Sequence, residues 1–185
     1  MYTRKDLIEE GMTQYRIEKE VAEGRLLRLR RNCYVPAEAS AKDKLAAVAQ
    51  LYPDAVFTGT AALAAYGLCE VRLPATIRVD NNCRARADGL VRTVRSRPVP
   101  VNRVKGVKMA LPAQAVADAL SFERCGEWLL KEALAQAYRG LNGRGRFAAD
   151  LELVTSKKRD AVRELAEMAP VGTASKWEQR MFREM

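Results

Sequence analysis

The run Arg25-Leu26-Leu27-Arg28-Leu29-Arg30-Arg31-Asn32-Cys33-Tyr34-Val35-Pro36 alternates leucine with arginine, and that period of two predicts a strand. Leu27 and Leu29 share one face, and Arg28 and Arg30 share the other. Arg31-Asn32 is read as a turn, because asparagine tolerates a positive φ better than other non-glycine residues. Tyr34-Val35 then begins a return strand that Pro36 ends. The prediction is a two-stranded ribbon carrying Arg25, Arg28, Arg30 and Arg31. Such a ribbon suits straddling a phosphate backbone. The same charges also suit a plain exposed hairpin, where they guard an edge strand against pairing with another chain.

What precedes the ribbon gives it context. Thr3 stands three residues before Asp6, a capping-box spacing, so Thr3 to Glu10 is predicted helical with Leu7-Ile8 on its buried side. Gly11 ends that helix, Thr13 caps a second that runs to about Glu23, and Gly24 stops it. Two short helices around a tight glycine-containing turn describe a helix-turn-helix. At 100° per residue, Ile17 and Val21 form the buried stripe of the second helix, with Gln14 at its border. Tyr15, Arg16 and Lys19 point away from that stripe, near the helix N-terminus, where a recognition helix reaches base edges. Glu18, Glu20 and Glu23 argue the other way, for an ordinary solvated amphipathic helix. A helix-turn-helix followed directly by a basic ribbon favours a winged helix-turn-helix over 1–36 and double-stranded DNA as its partner. The candidate DNA-binding residues are Thr13, Gln14, Tyr15, Arg16, Lys19, Arg25, Arg28, Arg30, Arg31 and Asn32.

Bulk composition agrees and narrows the alternatives. Lys+Arg outnumber Asp+Glu by 32 to 23 in 185 residues, a net charge of +9, which favours polyanionic partners. There is no histidine, which removes every His-based triad and imidazole metal site. Cys33, Cys69, Cys83 and Cys125 contain no C-x-x-C spacing, so reduced thiols are expected rather than a zinc cluster. No run of about 18 apolar residues exists to span a membrane, and the N-terminus has no signal-peptide core. The expectation is a cytoplasmic DNA-binding protein that is not an enzyme and holds no cofactor or metal.

The segments Thr3-Arg4-Lys5-Asp6-Leu7, Gly11-Met12-Thr13, Gly24-Arg25-Leu26 and Leu29 to Pro36 resemble the N-terminal domain of the AbiEi family, antitoxin-type regulators of type IV toxin–antitoxin systems. The family pattern ends in Arg-Gly-x-Tyr, whereas Asn32 stands here in place of the glycine. Asparagine takes the same backbone angles, but its side chain bears on how closely the turn approaches DNA. The likeness continues through Val56 to Leu68, Ala75 to Val79, Val104 to Lys108 and Pro112 to Leu120. It implies a transcriptional regulator that represses its own operon. It also implies an antitoxin role for the second domain, with a cognate toxin as protein partner. A homodimer on paired half-sites fits the few base contacts that one module makes.

The remainder is read as a mixed α/β domain over 41–168, a small sheet packed on helices, making the whole chain α+β. Helices are expected at Ala41 to Tyr52, Gly59 to Tyr66, Pro112 to Phe122, Glu127 to Tyr138, Phe147 to Val154 and Lys157 to Met168. Strands are expected at Ala55 to Thr58, Ile77 to Val79, Val91 to Arg97 and Val104 to Met109. Between Arg72 and Lys108 there are ten Lys/Arg against two Asp/Glu. Those charges describe either a second polyanion surface or the solvated face of a half-buried sheet. Gly140 to Arg146 is read as a loop; its G-x-G follows a helix, not a strand, which argues against a phosphate cradle.

The chain also carries two enzymatic signals. Ser175-Lys176-Trp177-Glu178-Gln179-Arg180 is similar to the start of a very-short-patch-repair-like endonuclease domain, with Glu178 as its first metal-binding glutamate. The seven residues after Glu178 hold no room for the rest of such a site, so 169–185 is expected to be a packing helix anchored by Trp177 and Phe182. The alternative function is therefore a DNA-recognition module of a nuclease whose catalytic domain lies outside this chain. Thr58-Gly59-Thr60-Ala61-Ala62-Leu63 resembles a nucleotidyltransferase's glycine-containing helix start, but Asp80 lacks the second carboxylate that two-metal chemistry needs. A third reading has the helix-turn-helix dock a protein instead of DNA.

Overall fold

The structure is a computed structural model that describes residues 1–80, 90–95, 97–155 and 157–172. It is α+β, and the chain divides into two compact units, Met1–Pro53 and a second that begins at Asp54. The helix Ala41–Leu51, placed by the sequence reading at the head of the second domain, belongs with the first unit. The tail motif around Glu178, with Trp177 and Phe182, lies outside the described residues, as do Cys83, Arg84 and Arg86.

The first unit runs β1 (Tyr2–Thr3), α1 (Arg4–Glu9), α2 (Gln14–Ala22), β2 (Leu26–Arg30), β3 (Cys33–Pro36) and α3 (Ala41–Leu51). Its helices start where the sequence says they should. The Thr3 hydroxyl accepts the Asp6 N–H at 3.2 Å while the Asp6 carboxylate accepts the Thr3 N–H at 2.7 Å, a complete capping box. The Thr13 hydroxyl accepts the Arg16 N–H at 3.2 Å and caps α2. Gly11 leaves α1 at φ +89°, a conformation that favours glycine.

Strands β2 and β3 form the expected hairpin, with Asn32 at φ +64° in its turn. Arg28 lies opposite Tyr34 and Arg30 opposite Cys33, so Leu29 has no partner across the ladder and forms a bulge. The sequence reading foresaw two strands; β1 adds a third, pairing Tyr2 with Tyr34 and Thr3 with Cys33, for the order β1-β3-β2. Leu7, Ile17 and Tyr34 are buried against one another, with Tyr2, Met12, Val21 and Leu26 around them. Each large side chain so buried contributes about 1.5–3 kcal/mol.

The second unit runs β4 (Val56–Phe57), α4 (Gly59–Ala65), β5 (Ala75–Val79), β6 (Val91–Arg95), β7 (Val101–Val104), β8 (Val107–Ala110), α5 (Pro112–Phe122), α6 (Glu127–Ala137), α7 (Gly143–Glu152) and α8 (Arg159–Glu167). The sheet is mixed, in the order β6-β5-β4-β8-β7, with β5‖β6 and β4‖β8 parallel and the other pairs antiparallel. Helix α5 packs against α4, α6, α7 and α8, and every residue from Ala113 to Ala119 is buried. Its alanines, facing those of α4, let the two helices approach closely.

Three expectations for this unit are corrected. Val104 to Met109 is not one strand: Lys105 at φ +49° and Gly106 at φ +83° turn the chain, and β7 and β8 pair as a two-residue hairpin. Gly140 to Arg146 is not all loop, since α7 begins at Gly143. A Cβ on Gly143 would stand 1.8 Å from the Tyr138 carbonyl oxygen, so glycine is what lets the helix start there. Finally, β5 has no solvated face. All five of its residues are buried, Arg78 included.

Candidate nucleic-acid interface

The candidate residues all lie in the first unit, on α2 and its cap Thr13, on the β2–β3 hairpin, and at Arg25 just before β2. Ile17 turns inward, which leaves Tyr15 76% exposed and Arg16 and Lys19 exposed on the outer side of α2. On the ribbon, Leu29 is buried while Arg28, Arg30, Arg31 and Asn32 are exposed. Arg16, Arg28, Arg30 and Arg31 belong to none of the ion pairs among the described residues. An exposed arginine outside an ion pair has its forked donors open to an outside anion.

Arg4 ties these pieces together. Its backbone N–H donates to the Asn32 carbonyl at 3.0 Å, and its side chain donates to the Gln14 amide oxygen. The tip of the ribbon and the N-terminus of α2 therefore meet at one residue of α1. The sequence reading missed Arg4 and Lys5 as members of this surface. Both line a cleft of about 560 Å³ with Thr3, Ile8, Glu9 and Asn32. What brings them there is the pairing of β1 with β3, and a two-residue strand is too short to leave a periodic signal.

Other candidates are engaged elsewhere. The Thr13 hydroxyl is occupied by its cap, and the Gln14 amide nitrogen donates to Glu18 at 3.0 Å. Lys19 lies 3.9 Å from Glu23, a loose surface pair of little energetic weight. Arg25 differs from the other ribbon arginines. Its Nε and Nη2 donate to the two Glu20 oxygens at 2.5 and 3.0 Å, and Nη2 also donates to Glu23. This bond holds the Glu20 carboxyl below its ordinary range and raises the Arg25 pKa in turn.

The second unit gathers its polar chemistry inward. Arg78 donates to both Asp118 oxygens, at 2.6 and 2.7 Å, and Thr58 and Gln114 donate to the same carboxylate. Both readings of Arg78, as a polyanion contact and as a solvated residue, are thus overturned, because its fork is closed on a buried partner. Arg92 donates to the Phe122 carbonyl and Lys108 to Asp54. The Glu123 carboxylate accepts from the Thr60 N–H at 3.1 and 3.2 Å and from the Thr76 hydroxyl at 2.7 Å, closing the Thr58-Gly59-Thr60 elbow. That elbow, the nucleotidyltransferase-like feature, is filled by the chain's own side chain. Burial pushes the Cys69 and Cys125 thiols up, which keeps them protonated and poorly nucleophilic. Among the described residues no group of three or more Cys, Asp or Glu is gathered to hold a metal, and no helix is long and apolar enough to cross a membrane.

No family model matches the chain, and no curated protein matches it either.

Proposed function

We propose that this chain binds double-stranded DNA as a sequence-specific transcriptional regulator, with the N-terminal unit acting as a winged helix-turn-helix. One observation carries the reading: Arg16 on α2 and Arg28, Arg30 and Arg31 on the hairpin are exposed and belong to none of the ion pairs among the described residues, on elements that Arg4 joins. In this reading α2 enters the major groove, with Tyr15 and Arg16 at base edges and Lys19 beside them. The hairpin arginines lie along flanking phosphates. The likeness to the AbiEi family supports an antitoxin-type regulator that represses its own operon, whose second unit meets a cognate toxin. A mobility-shift titration of the full chain on the DNA upstream of its own gene tests the proposal. A discrete complex, outcompeted by specific but not by scrambled duplex, is the expected result. Equal binding to both duplexes contradicts sequence specificity, and no shift at all contradicts DNA binding.

A further inference from the structure

Arg25 sits where α2 hands over to the ribbon. Gly24, at φ +73°, turns the chain out of the helix. The Arg25 N–H then donates to the Glu20 carbonyl at 2.9 Å, and its own carbonyl accepts the Ala37 N–H at 2.8 Å. Its backbone is thus fixed to the last turn of α2 on one side and to the end of the return strand on the other. The side chain repeats the connection. Its guanidinium makes a two-pronged contact with Glu20, the most sheltered carboxylate among this unit's ion pairs at 18% side-chain exposure, and reaches Glu23 as well. A two-pronged arginine–carboxylate contact fixes direction as well as distance. Of the four ribbon arginines, Arg25 is the one whose charge is already neutralised within the protein.

We infer that Arg25 is a positioning residue, which acts on DNA by fixing the angle between α2 and the ribbon and makes no phosphate contact of its own. The inference rests on the DNA-binding reading above. It gives Glu20 a role that simple electrostatics would reverse. A carboxylate on a DNA-facing helix repels phosphate, so its removal alone would tighten binding to any duplex. If Glu20 instead anchors the clasp, its removal lets the ribbon swing relative to α2, and the base-reading and phosphate-gripping elements no longer engage together.

The test measures affinity for the preferred and a scrambled duplex across a series of salt concentrations, for the full chain and its Glu20→Ala and Arg25→Ala variants, with thermal melting to establish that each is folded. Glu20→Ala is expected to lose about tenfold in discrimination between the duplexes, the scale of one charge-assisted hydrogen bond. Arg25→Ala is expected to lose discrimination while its log-affinity against log-salt slope stays parallel to wild type. A slope shallower by about 0.9 for Arg25→Ala makes it a phosphate contact and overturns the inference. Uniformly tighter binding by Glu20→Ala overturns it too, and that variant alone decides the question if Arg25→Ala does not fold. A wild-type chain that binds both duplexes equally removes the sequence-specific reading, one that binds neither removes the DNA reading, and this inference falls with either.

Discussion

Arg78 on β5 and Arg30 on β2 are both strand residues, and the chain provides for them in opposite ways. Arg78 is 7% exposed, its fork closed on Asp118, whose carboxylate also takes the hydroxyl of Thr58 and the amide of Gln114. Arg30 stands in solvent with no carboxylate within ion-pair distance among the described residues, and so do Arg28 and Arg31. The second unit uses a guanidinium as an internal fastener that couples β5 to α5. In the first unit Arg28, Arg30 and Arg31 stand in solvent outside the ion pairs among the described residues. Positive charge in a sequence therefore says little until its partner is known. Arg25, three residues before Arg28, already belongs to the fastened class.

The largest effect that bears on this contrast is expected at the buried pair. Asp118→Ala leaves the Arg78 charge enclosed without its partner, which should cost about 3–5 kcal/mol in chemical denaturation. Replacing both residues together, Arg78→Met with Asp118→Leu, should cost less than that single change, because no charge is then left stranded. An Asp118→Ala variant as stable as wild type would erase the distinction between the two arginine classes. Next comes the elbow of α4. A Cβ on Gly59 would lie 1.9 Å from the Glu123 carboxylate, and the backbone there is at φ +59°. Gly59→Ala should therefore destabilise by about 2–3 kcal/mol, from the left-handed backbone and the displaced cap together. An unchanged unfolding midpoint would show that Glu123 moves aside freely.

On the exposed side, Arg16→Ala should leave stability within about 0.5 kcal/mol. It should reduce discrimination for the preferred duplex by about 1–3 kcal/mol, read from competition titrations. A loss shared equally by all duplexes would demote Arg16 from reading bases to gripping phosphate. The smallest effect is a pH dependence of the first unit. Hydrogen bonds from the Thr3 backbone and hydroxyl lower the Asp6 pKa, and the Arg25 fork lowers that of Glu20. Groups with depressed folded pKa values stabilise fully above the ordinary carboxylate range, and that stability fades as pH falls through the lowered values. Melting of the first unit should thus be level near neutral pH and fall on acidification, less so in an Asp6→Asn variant. Melting that rises with acid would contradict the assigned bonds.

Local chemistry explains what could be read from the chain beforehand. Thr3, Gly11, Thr13 and Asn32 act on neighbours within four residues, and each does in the structure what its type and spacing indicate. Contacts between distant residues were not legible in this way. Asp118 is 40 residues from Arg78 and Glu123 is 63 from Thr60, so neither partner leaves a pattern around the residue it serves. The exposed face of α2 was legible because Ile17 and Val21 fix its rotation. The Arg25 clasp was not, since an arginine at the head of a ribbon with three others reads as one more surface charge. Lys105-Gly106 hid a turn because valine-rich residues on both sides continue the same alternation.

Binding of the full chain to a short duplex as a function of salt, compared with a variant carrying Arg28→Ala, Arg30→Ala and Arg31→Ala together, tests the central claim most directly. If these three unpaired arginines grip phosphate, the variant's log-affinity against log-salt slope should be shallower by about 2.7, at unchanged melting temperature. Parallel lines for the two proteins would contradict it.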